Sequence, residues 1–102
     1  MRKFLILPLL AACTTTAQTP EGMAVRIVDE KPQACESLGD LDTMGNNFSD
    51  SESLNYIRNR TAKAGGNTLR ISKVVNYSYV SSMVIGSNDY YAHYAYMYKC
   101  GS

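Results

Sequence analysis

At Gly65-Gly66 the spacing of apolar residues changes, and that change sets the fold class. Before the glycines, Leu54, Ile57, Thr61 and Ala64 recur at helical spacing, with Arg58, Asn59 and Lys63 elsewhere on the cylinder. Ser49 and Glu52 open this segment at the spacing of a capping box: hydroxyl to a free backbone donor, carboxylate back to the cap. The glycines end the helix, because a residue without Cβ takes the left-handed conformation at little cost. After them the period is two. Leu69, Ile71, Val75, Tyr77 and Tyr79 share one parity, while Arg70, Ser72, Asn76 and Ser78 take the other. Lys73-Val74 breaks the alternation, the mark of a bulge or a register change. Residues 80–89 read as a hairpin connection, with turn chemistry at Gly86-Ser87-Asn88-Asp89, and residues 90–100 as a tyrosine-rich strand.

Two shorter strands precede the helix. Residues 23–28 read as a short strand, with Val25 and Ile27 alternating with Ala24, Arg26 and Val28, and Asp29-Glu30-Lys31-Pro32 makes a turn. A second strand falls within residues 34–45, where Gly39 interrupts the two-residue period of Leu38, Leu41 and Met44 and suggests a bulge. The order is strand, strand, helix, strand, strand. The expected domain, over residues 24–102, is α+β: one helix packed on one face of a mostly antiparallel four-stranded sheet.

The first residues have a different logic. Arg2 and Lys3 are positive, Phe4 to Leu10 is apolar except for Pro8, and Ala11 and Ala12 are small. This is the layout of a bacterial secretory signal over residues 1–12. The apolar run is far shorter than the ~20 residues of a spanning helix. The alternative, a buried helix of the domain, has Pro8 and the absence of an amphipathic period against it. Leu10-Ala11-Ala12-Cys13 looks like a lipobox, in which Cys13 takes a diacylglyceryl group and its freed amine a further acyl chain. One chain holds a protein to a membrane marginally and two or more hold it stably, at ~0.8 kcal/mol per buried methylene. The polar stretch Thr14 to Thr19 then reads as a tether that does not pack, so residues 13–23 link the anchor to the domain. Position 14 is Thr, where resemblance to enterobacterial lipoproteins would make Asp a signal for inner-membrane retention. The implied address is the outer membrane, facing the periplasm.

The full chain has ten Lys and Arg against nine Asp and Glu; losing Arg2 and Lys3 leaves eight against nine. No basic field remains to attract nucleic acid, and export separates the chain from it. Of three cysteines, lipidation takes Cys13 and leaves Cys35 and Cys100 in an oxidising compartment. A bridge between them is expected, with two separate buried thiols as the alternative. Closing so long a loop is worth roughly 4 kcal/mol. That matters to a small mature chain, which buries only ~60% of its unfolded surface.

Three blocks, VRIVDEKPQACESLG, LNYIRNRTAKAGGN and YMYKC, resemble the small bacterial lipoproteins grouped as domain of unknown function 4156. The resemblance spans about residues 24–75 and 95–100, in family order. It implies a lipid anchor at Cys13 and a bridge between Cys35 and Cys100. Arg58, Asn59, Ala62, Gly65, Gly66 and Asn67 match the helix-end motif. The chain is more distantly similar to the signalling domain of RcsF-type envelope-stress lipoproteins. It departs from them in lacking a second cysteine pair and a long proline-rich, basic linker after Cys13. The segment Tyr77 to Tyr98 lies outside the recognised pattern.

No constellation for catalysis, cofactor or metal emerges. His93 is the single histidine, expected at the surface or half-buried in the last strand. Ser81, Ser82 and Ser87 lack a nucleophile-elbow context. Asp40 and Asp42 share a strand face, as a cation site or as solvated carboxylates. Met1 leaves with the signal and the other four methionines are scattered. The tyrosines remain: eight in the chain against no tryptophan. Tyr79, Tyr90, Tyr91, Tyr94, Tyr96 and Tyr98 form the candidate interaction face, for an envelope protein or a glycan, since tyrosine combines apolar area with a polar tip. The bland alternative is cross-strand pairing that only stiffens the sheet. The expected function is that of a non-catalytic outer-membrane lipoprotein acting as an interaction module. The alternative is an RcsF-like sensor that signals stress by changing protein partners.

Overall fold

The structure, a computed structural model, describes residues 16–79 and 88–101. The expected signal over 1–12, the lipidation site Cys13 and residues 80–87 of the hairpin connection lie outside the described residues. In chain order the elements are α1 (Pro20–Met23), β1 (Arg26–Val28), β2 (Glu36–Asp42), α2 (Asp50–Lys63), β3 (Thr68–Tyr79) and β4 (Asn88–Lys99). The four strands form one sheet in the order β1-β3-β4-β2. The domain is α+β as expected, but the sheet is mixed. β4 is antiparallel to both β3 and β2, whereas β1 lies parallel to β3. β1 and β2 sit at opposite edges and run the same way as β3; α2 carries the chain from β2 over the sheet to a place beside β1, and β4 then fills the gap between β3 and β2.

The helix forms where its caps dictate. The Ser49 hydroxyl accepts from the Glu52 amide at 3.2 Å, and the Glu52 carboxylate accepts from the Ser49 amide at 2.9 Å. Ser53, Ile57 and Thr61 are its buried residues, with Leu54 packed beside them. Ala64, expected on that face, is instead the exposed C-cap, because the helix has ended by there. Gly65 follows at φ 91°, in the left-handed region where a Cβ would clash with its own backbone. The helix covers one sheet face. Its core is Val25, Ile57, Leu69 and Ala95, extended by Ile27, Leu41, Ile71 and Met97.

Two bulges set which residues reach that core. In β2 the register shifts between Ser37 and Gly39, where the sequence places it, and Gly39 has φ 109°. In β3 the shift falls between Ile71 and Lys73, leaving Ser72 unpaired with its hydroxyl on the Tyr94 carbonyl at 3.1 Å. An extra residue reverses the facing of everything beyond it. Val75 and Tyr77 therefore look away from the helix, although they share parity with Leu69 and Ile71. Asn88 and Asp89, expected in a turn, already pair with Tyr79 and Ser78 in the strand.

Cys35 and Cys100 form a disulfide, with Cα atoms 4.4 Å apart, which ties the start of β2 to the end of β4. The N-terminal segment differs from the expectation. The strand foreseen from residue 23 starts only at Arg26, because Pro20–Met23 makes a helical turn capped by Thr19. From Thr16 onward the stretch foreseen as an unpacked tether is docked on α2. Asn55 Nδ2 donates to the Thr16 carbonyl at 3.0 Å, and Asn59 Nδ2 to the Ala17 carbonyl at 2.8 Å.

Candidate docking face

The side of the sheet opposite α2 carries the even-numbered tyrosines of β4. Cross-strand partners share a face. Tyr96 lies between Arg70 on β3 and Asp40 on β2, and Tyr94 lies between Lys73 and Asp42. The Arg70 guanidinium carbon stands 4.7 Å from the Tyr96 ring centre, and Lys73 Nζ stands 4.8 Å from that of Tyr94. Both distances are within cation–π range. Arg70 Nε is buried and has no hydrogen-bond partner among the described residues, consistent with a guanidinium that stacks on a ring. Two parallel rows result, each a cation, a phenol ring and a carboxylate laid across three strands. Asp40, Asp42 and Lys73 are exposed, and Tyr96 keeps 38% of its surface in contact with solvent.

The other candidate tyrosines divide. Tyr90 is on this face and pairs with Tyr77, ring centres 5.8 Å apart. Tyr98 has the same parity but is buried at 4% exposure, so it packs rather than presents. Tyr91 falls on the helix side, where its amide donates to the Phe48 carbonyl at 2.8 Å. Tyr79 pairs with Asn88 at the far end of the described hairpin. The structure therefore brings Tyr90, Tyr94 and Tyr96 onto one presented surface and does not bring Tyr91 or Tyr98 to it. Arg70 and Lys73 were not foreseen as members. Their opposite parity in sequence hides their common face, which only the Ser72 bulge creates.

The second polar cluster lies on the helix side and corrects the expectation for His93, which is buried at 3% exposure. His93 Nδ1 lies 2.7 Å from Ser53 Oγ, Ser53 Oγ lies 2.7 Å from Thr43 Oγ1, and Thr43 Oγ1 accepts from the His93 amide at 3.0 Å. On the other ring edge, His93 Nε2 is 3.3 Å from Asp50 Oδ1. One assignment satisfies every group. A neutral imidazole carries its proton on Nε2 toward Asp50; Ser53 donates to Nδ1; Thr43 donates to Ser53. Burial lowers the His93 pKa, and Asp50 opposes this in part. Asp50 is itself 57% exposed, so water screens its charge.

Ser53, His93 and Asp50 have the residue types of a hydrolytic triad, but not its geometry of access. Ser53 is fully buried and its oxygen is already shared between Thr43 and His93, so no substrate carbonyl can approach it. The cluster fastens the first turn of α2 to β4 and to Thr43 just beyond β2. Serine at position 53 could have been flagged from its place one turn before Ile57, but serine carries no core signal in a sequence. No group of three or more acidic, histidine or cysteine residues among the described residues is placed to hold a metal ion. No helix among them is long and apolar enough to cross a membrane. No protein-family model, curated protein or solved structure matches this chain.

Proposed function

We propose that this chain is a non-catalytic lipoprotein of the bacterial outer membrane, anchored through acylated Cys13, whose domain serves as a docking module for another envelope protein. The anchor rests on Arg2-Lys3, the short apolar run and Leu10-Ala11-Ala12-Cys13, together with the resemblance to small bacterial lipoproteins. The observation that carries the docking role is the pair of charged rows, Arg70–Tyr96–Asp40 and Lys73–Tyr94–Asp42, on the sheet face opposite α2. A stiff ring flanked by opposite charges offers a partner apolar area and fixed polar contacts at low entropic cost. A protein partner is favoured over a glycan. The heads of Arg70 and Lys73 each lie over one ring face, and the opposite charges at the two ends of each row suit charged side chains of a protein better than neutral sugar hydroxyls.

The test is photo-crosslinking in intact cells from a reactive side chain placed at position 96. A discrete protein adduct is expected, lost when Asp40→Ala and Arg70→Ala are combined and retained with a control substitution at exposed Lys63. Adducts that are insensitive to the paired change, or none from positions 94 and 96, would remove the docking role.

A further inference from the structure

Where the chain becomes pinned fixes how the domain stands on its membrane. We propose that the domain is apposed to the bilayer with the α2 side inward, so that the Tyr94–Tyr96 face points away from lipid. This rests on the reading of Cys13 as the lipid anchor.

The N-terminal segment is held on the flank of α2 at several points. Asn55 holds the Thr16 carbonyl and Asn59 the Ala17 carbonyl; the Thr19 hydroxyl donates to Asn59 Oδ1 at 2.8 Å. Asn55 and Asn59 are four residues apart and so lie on one stripe of the helix. α1 closes over the same stripe: Gly22 is buried so tightly against Asn59 that a Cβ there would overlap its amide. Between Cys13 and Thr16 there are three peptide steps. Fully extended, they span at most about 11 Å. A free tether over residues 13–23 would instead reach about 35 Å. An acylated Cys13 sits at the headgroup level, so the α2 flank is held within about 11 Å of it.

The helix, with a diameter of ~10–12 Å, stands between that flank and the sheet. The rows of Arg70–Tyr96–Asp40 and Lys73–Tyr94–Asp42 lie on the sheet's far side. Three peptide steps are too short to bring that far face to the lipid. Met23 belongs to the pinned segment and is 56% exposed, an apolar side chain on the membrane-facing side. Lipid attachment and partner docking thus use opposite sides of the domain, and a bound partner need not displace the domain from the membrane.

The chain contains no tryptophan, so single tryptophans report cleanly. The experiment uses the full acylated protein, purified from envelopes and reconstituted in vesicles of phosphatidylethanolamine and phosphatidylglycerol bearing a headgroup energy acceptor. Met23→Trp is expected to transfer energy several-fold more efficiently than Asp40→Trp or Tyr96→Trp. Adding Asn55→Ala and Asn59→Ala to Met23→Trp should reduce that advantage by at least half. Equal transfer from both sides, or an advantage untouched by the double release, overturns the orientation. Mass spectrometry of the same sample separates the two failures: an unacylated Cys13 defeats the anchor itself, whereas acylation with equal transfer defeats only the apposition.

Discussion

Replacing Ser53 by alanine removes one oxygen and unsettles three elements at once. That oxygen lies 2.7 Å from both Thr43 Oγ1 and His93 Nδ1, and all three residues are buried. Without it, Nδ1 is a buried acceptor with no donor and Thr43 loses its acceptor. A buried group left unmatched costs about 1–3 kcal/mol, and the middle of that range lowers Tm of a domain this size by roughly 10 °C. The same network makes stability pH-dependent. Burial depresses the folded pKa of His93 below its ordinary 6.5. Above pH 6.5 both folded and unfolded chains hold a neutral imidazole, and the full stability is present. As pH falls below 6.5 the unfolded chain takes up a proton that the folded one resists, so stability is lost down to the folded pKa and then levels. Each unit of separation is worth about 1.4 kcal/mol. Denaturant unfolding followed by circular dichroism, at pH 7.5 and 5.5, checks this for the unaltered chain, Ser53→Ala and His93→Gln. Because His93 is the only histidine, His93→Gln removes all imidazole titration. The unaltered chain should lose stability toward pH 5.5 relative to His93→Gln. A difference that is flat with pH, or that grows in the acid direction, would refute the buried neutral ring.

Two further changes probe the frame. Cys35→Ser with Cys100→Ser opens a loop of 65 residues and should cost about 4 kcal/mol in urea unfolding, leaving a barely stable domain. Gly66→Ala should cost about 1–3 kcal/mol. Its Cβ would stand 2.9 Å from the Tyr98 carbonyl oxygen, a backbone atom that cannot swing aside, and 3.0 Å from Leu38 Cδ1.

Local rules recovered the pieces of this fold better than their arrangement. The Ser49–Glu52 cap, the stop at Gly65 and the break at Gly39 each depend on neighbours in sequence, and each stands where those neighbours put it. The parallel pairing of β1 with β3 depends instead on where α2 returns the chain, beside β1 rather than beside β2, and no residue of β1 encodes that. The same holds for the candidate face. Tyrosine crowding in residues 90–98 was legible, but not the division between Tyr96, which is presented, and Tyr98, which is packed. Arg70 and Lys73 join one face because a single inserted residue, Ser72, shifts the parity between them. The burial of His93 is hidden in the sequence for a related reason. A polar ring in a strand reads as exposed until its partners Ser53, Thr43 and Asp50 arrive from other elements.

The proposed address and fold depend together on how three sulfurs are used. The intact mass of the protein extracted from bacterial envelopes decides it: a chain beginning at Cys13, heavier by its acyl chains and lighter by two hydrogens for the Cys35–Cys100 bond, is predicted. A chain that still begins at Met1, or one whose Cys13 carries no lipid, would contradict it.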